Sequence, residues 1–143
     1  MRLNRRDVNL EIASARAAGR TPNFQGSDLE SLHLMECDLS GANLAGANLR
    51  DTQLYKANLT GTNLTGADLT GSYLTRASFH TEQLLDTYGL NPTFDPQYSM
   101  TAGVWDDLLP KDPTTRELAI ALLQDWDGTL REAITTAEEL RKS

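Results

Sequence analysis

The sequence predicts an all-β solenoid, a chain coiled on itself in short stacked turns, with helices at both ends. Three observations carry that expectation. An apolar residue recurs every five positions without a miss, from Phe24, Leu29 and Leu34 to Leu74, Phe79 and Leu84. A small residue stands two positions before most of them, as Ser27, Cys37, Ala42, Ala47, Ala57 and Ala67. Asn or Asp usually comes immediately before the leucine, and glycine follows two positions later at Gly26, Gly41, Gly46, Gly61, Gly66 and Gly71. In a helix, at ~100° per residue, five steps would spread the leucines over every face. In a strand an odd period would send successive leucines to opposite sides of the sheet. The pattern is satisfied by a corner every five residues, with the leucine and the small residue both turned inward. Gly, Asn and Asp suit such corners because they tolerate φ > 0 and bond locally to the backbone.

The run of Ala-Asn-Leu-x-Gly and its variants from Gly41 to Gly71 resembles the pentapeptide-repeat family over residues 22–81. The resemblance implies a right-handed quadrilateral β-helix of about three coils, four sides of five residues making each twenty-residue coil. It assigns nothing to the C-terminal helical segment.

The flanking segments complete four regions. Residues 1–21 form an N-terminal capping helix, with Asp7 to Ala18 helical and Gly19 ending it. Residues 22–85 are the repeat, and Glu82 at a small inward position marks the end of the regular core near residue 81. Residues 86–112 form an irregular connector in which Tyr88, Phe94, Tyr98 and Trp105 lie among Pro92, Pro96 and Pro110. Residues 113–143 form an α-helical hairpin. Asp112-Pro113 starts its first helix, Gly128 breaks the pattern, and Thr129 with Glu132 caps the second. Leu130, Ala133, Ile134, Ala137 and Leu140 keep helical spacing along that final helix. This stripe is the expected helix-packing or homodimer surface.

Composition limits the function classes. The 143 residues carry a net charge of -7 and a single cysteine. One cysteine forms no internal disulfide, and with two histidines it leaves no metal set. No apolar run approaches the ~18 residues of a membrane span, and no apolar segment follows Arg2, Arg5 and Arg6 as a secretory signal requires. A cytoplasmic protein without membrane contact is therefore expected. The acidic body argues against direct nucleic-acid binding. The five arginines of residues 1–20, set against two acids, read as the solvated face of a helix. Cys37 reads as core packing. No nucleotide loop, carboxylate pair or Ser-His-Asp set stands out, so neither catalysis nor a cofactor is expected.

Residues twenty apart should stack in columns. On the side built from 32–36, 52–56 and 72–76, the outward columns are His33, Gln53, Tyr73; then Met35, Tyr55, Thr75; then Glu36, Lys56, Arg76. His33, Met35, Gln53, Tyr55, Lys56, Tyr73 and Arg76 mark the candidate protein-interaction face, since aromatics, Met and Arg are enriched at interfaces. The same face could instead dock the chain's own C-terminal segment. The expected function is a non-enzymatic protein–protein interaction or scaffold module presenting one face of a short β-helix to an unknown protein partner. In that reading the C-terminal helices dimerise or grip the partner. The alternative implied by the resemblance is a DNA-mimicking protein that binds DNA gyrase or topoisomerase and confers resistance to gyrase inhibitors.

Overall fold

A chain that turns a corner every five residues leaves each side room for one paired residue and no more. The computed structural model, which describes residues 2–91 and 102–143, shows this directly. Single parallel bridges join Asn23 to Asn43, Asp28 to Asn48, His33 to Gln53 and Asp38 to Asn58, and the next turn repeats them. Each bridge inside the repeat links residues twenty apart, but no two neighbouring residues bridge in succession. A strand needs consecutive pairs, and none forms among the described residues.

This corrects the expected architecture. The all-β solenoid, and the right-handed quadrilateral β-helix implied by the resemblance, both require strands. The regular elements among the described residues are helical throughout: α1 (Arg5–Ala17), a 3-10 turn (Thr81–Leu84), α2 (Ala102–Leu108), α3 (Pro113–Leu123) and α4 (Leu130–Lys142). Two functional expectations rested on a β-helical wall and fall with it. One is the interaction or scaffold module presenting a β-helix face; the other is the DNA mimic bound to gyrase.

Between α1 and the 3-10 turn lies a coil of linked turns. Its centre is a column of fully buried Leu34, Leu54 and Leu74, beside equivalent columns through Leu39 and Leu59, Leu44 and Leu64, and Leu49 and Leu69. Cys37, Ala42, Ala47, Ala57 and Ala67 fill the space between them. Thr52, Thr62 and Ser72 take the same inward position and are buried. Their hydroxyls donate to the carbonyls of Leu29, Leu39 and Leu69 at 2.9, 2.8 and 2.8 Å, so no buried polar group is left open there. The coil runs past residue 81: Leu84 and Thr87 are buried, and Tyr88 bridges Asp68. Of the aromatic connector, Trp105 is buried in α2, whereas Phe94, Tyr98, Pro92 and Pro96 lie outside the described residues.

The lower end is closed by α1. Asn4 and Asp7 form a reciprocal capping box at its start, and Val8 and Ala15 are completely buried. The first coil turns unpaired backbone groups downward on every side, and the N-terminal segment meets them. Glu11 accepts from the Asn23 amide at 2.8 Å. The Leu3 amide donates to the Asp28 carbonyl at 2.9 Å, and the Arg2 guanidinium donates to Glu30 at 2.7 Å. Arg5 donates to the His33 carbonyl, and Arg16 donates to those of Asp38 and Ser40 at 3.2 and 3.3 Å. Arg2, Arg5 and Arg16, expected on a solvated helix face, thus seal the coil.

The upper end is closed differently. Helix α4 begins over it, with Thr129 and Glu132 in a capping box. The first amides of α4 have no partner within the helix. Those of Leu130 and Arg131 donate to the Thr87 and Leu85 carbonyls at 3.1 and 2.7 Å. Helix α3, capped by Asp112 with Pro113 in its first turn, packs along α4, while α2 packs on the 3-10 turn.

Candidate ligand groove on the third side of the coil

The third side of the coil is made of residues 32–36, 52–56 and 72–76. Backbone bonds set its register: Leu34 donates to Gln53 at 2.8 Å, Glu36 to Tyr55 at 2.9 Å, Leu54 to Tyr73 at 2.8 Å and Lys56 to Thr75 at 3.1 Å. With Leu34, Leu54 and Leu74 turned inward, their neighbours on both sides must point out. Met35, Gln53, Tyr55, Tyr73 and Thr75 line a groove of about 400 Å³. Met35 and Tyr73 are 42% and 39% exposed, so the groove carries apolar surface that the chain's described residues leave uncovered. Gln53 and His33 lie side chain to side chain at 3.4 Å beside it.

Tyr55 sits between two cations. The Lys56 ammonium lies 5.3 Å from its ring centroid, and the Arg76 guanidinium donates to its hydroxyl at 3.5 Å. Six of the seven residues expected on this face thus lie in or beside one tyrosine-centred site: Met35, Gln53, Tyr55, Tyr73 and Arg76, with Lys56 over the ring. His33 borders it through Gln53. Thr75 lines the groove as well, a position that its column placed beside Tyr55 but that carried no chemical signal of its own.

The backbone of this side holds a feature invisible in residue types. Corner residues of the coil sit in the left-handed region, which favours glycine. Sides one and four supply it with Gly26, Gly46, Gly66, Gly41 and Gly61. Side two mixes Ser31 and Asp51, at φ of 61 and 56°, with Gly71, and side three holds no glycine at all: its corner is Glu36, Lys56 and Arg76 at φ of 61, 59 and 61°. A non-glycine residue held there costs on the order of 1 kcal/mol.

The stripe on the final helix has another fate. Leu130, Ala133 and Ala137 are buried within the chain, Ile134 is half-buried against the core, and Leu140 remains 49% exposed. Among the described residues no three His, Cys, Asp or Glu side chains are grouped to hold a metal. Burial pushes the Cys37 thiol up, away from the reactive thiolate. No helix is long and apolar enough to cross a membrane.

Comparison with known proteins locates the likeness in the coil alone. The family model for pentapeptide repeats matches residues 23–54 and 52–80, less than half of the chain. No curated protein sequence matches. Among solved structures, the pentapeptide repeat protein Rfr23 from the cyanobacterium Cyanothece 51142 is 38% identical over 41% of this chain and 44% of its own, with a TM-score of 0.32. HetL, a pentapeptide repeat protein involved in heterocyst differentiation regulation in the cyanobacterium Nostoc sp. strain PCC 7120, is 31% identical over 48% of this chain and 31% of its own, with a TM-score of 0.30. A pentapeptide repeat protein of the Arabidopsis thaliana thylakoid lumen is 18% identical over 82% of both chains, with a TM-score of 0.36. The chain spans under half the length of the first two, and what it shares with them is a run of pentapeptide repeats.

Proposed function

We propose that the protein is a cytoplasmic, non-catalytic binding protein whose ligand site is the groove of Met35, Gln53, Tyr55, Tyr73 and Thr75. The observation that carries this reading is the uncovered apolar surface of Met35 and Tyr73 beside Tyr55, in a groove formed by neighbouring turns of the coil. A concave apolar surface with a few polar groups at its edge is the usual form of a small-ligand site, and about 400 Å³ lies within the size range of such sites. The groove floor supplies apolar contact. Gln53 and the Tyr55 hydroxyl supply the hydrogen bonds that orient a ligand.

Nuclear magnetic resonance titration with small benzyl-bearing compounds tests the reading. Saturable shifts should concentrate on Met35, Gln53, Tyr55, Tyr73 and Thr75, and the double change Tyr55→Ser and Tyr73→Ser should abolish them. The same double change should leave the melting temperature nearly unaltered, because both side chains point away from the core. If no benzyl compound, whatever its charge, shifts these resonances, the groove is not a ligand site.

A further inference from the structure

We infer that the groove selects a small apolar ligand carrying a carboxylate, with Lys56 and Arg76 as the anion-binding pair; this rests on the groove being a ligand site. Residues 21–86 contain only three basic residues, Arg50, Lys56 and Arg76. Arg50 is committed, lying 3.1 Å from Asp68 and 3.6 Å from Glu30. The other two stand one above the other in a single corner column, against the groove wall. Among the described residues neither forms an ion pair; their contacts are to the Tyr55 ring and hydroxyl.

Three costs meet in that column. Both residues sit at φ near +60°, where glycine serves the corners of sides one and four and where a non-glycine residue is strained. Like charges occupy adjacent stacked positions, which is unfavourable. Glu36, the acid below Lys56 in the column, forms no ion pair with it among the described residues, so both cations lie beside apolar surface without a bonded counter-charge, on a chain whose net charge is -7. A carboxylate between the Lys56 ammonium and the Arg76 guanidinium relieves the repulsion and supplies the missing ion-pair partner. Its apolar body then lies on Met35, Tyr55 and Tyr73. Glu36, third in the column, borders the site from below and disfavours ligands with a second negative charge at that end.

The test compares phenylacetate with benzyl alcohol, phenethylammonium and acetate in resonance titrations of the whole chain at low salt. Phenylacetate should bind at least fivefold more tightly than benzyl alcohol or phenethylammonium, and acetate should give no saturable shift at the groove. The change Lys56→Gly with Arg76→Gly should level phenylacetate with benzyl alcohol while raising the melting temperature, because the corner strain is removed. Lys56→Gln with Arg76→Gln should level them with a smaller rise, because only the like-charge repulsion is removed. Equal affinity for phenylacetate and benzyl alcohol in the unaltered protein overturns the anion selection but leaves the groove a ligand site. Acetate binding as well as phenylacetate reduces the pair to an adventitious anion site and also overturns it. Silence from all four compounds removes the groove reading itself.

Discussion

The two ends of the coil solve one problem by different means. Both present backbone groups that would otherwise pair with another chain. At the lower end the solution comes from side chains. Glu11, Arg5 and Arg16 reach the coil edge from a helix lying across it, assisted by Arg2 and the Leu3 amide just before that helix, and together they touch all four sides. At the upper end it comes from the backbone. The opening amides of α4 are themselves without helical partners, so they and the Leu85 and Thr87 carbonyls satisfy each other. Arginine spans the distance from a helix axis to an edge, whereas an amide must be delivered to within about 3 Å by the helix start itself. The lower cap therefore depends on side-chain chemistry, and the upper cap depends on where α4 is placed.

The largest effect expected from this contrast comes from detaching the lower cap altogether. Val8 is completely buried between α1 and the coil. Val8→Asp should cost several kcal/mol or prevent folding, because it buries an unpaired charge. Urea unfolding followed by circular dichroism would measure it, and a loss below about 1 kcal/mol would show that α1 is not needed to close the coil.

A smaller effect separates the two kinds of cap. Arg16 serves two carbonyls and lies 3.5 Å from Asp38, so Arg16→Ala should cost about 1 kcal/mol. Arg131 pairs with Asp86 at 2.9 Å, but its backbone amide makes the structural bond. Since that ion pair is largely exposed, Arg131→Ala should cost less than Arg16→Ala. Equal losses in parallel urea titrations would erase the distinction between the ends.

The smallest effect is shared. Hydrogen bonds from Arg20 and the Asn23 amide hold the Glu11 carboxyl below its ordinary value. The Thr129 amide and hydroxyl do the same for Glu132 at the upper end. A carboxyl lowered on folding stabilises the protein above its unfolded pKa, and that contribution is lost as pH falls through the folded value. The melting temperature should therefore hold steady between pH 7 and about 5, then fall toward pH 3. Glu11→Gln and Glu132→Gln should each flatten part of that decline, and a melting temperature that rises on acidification would reverse the sign.

Much of this molecule is legible in residue order. An unbroken five-residue period demands a corner per unit, and Leu34 to Leu74 are buried as the inward columns require. Thr129 with Glu132, and Asp112 with Pro113, announce the starts of α4 and α3 because caps are local chemistry. The columns of the third side also follow from spacing, so Met35, Tyr55 and Tyr73 can be grouped without coordinates. Asn4 as the cap of α1 is readable too, since Asp7 three residues later completes the box; the expected start at Asp7 overlooked that pair.

Other features exist only in three dimensions. Whether a side of the coil holds a strand depends on consecutive pairing, and a corner every five residues permits one bridge at a time. Composition makes the N-terminal arginines look solvated, because charge says nothing of the Glu30 carbonyl that Arg2 meets at 2.7 Å. The stripe of Leu130, Ala133 and Ala137 is apolar whichever surface covers it, and only the packing of α4 within the chain shows that it is covered internally. Periodicity determined what turns inward; the tertiary structure decided what meets at each edge, because edge partners come from segments with no fixed spacing between them.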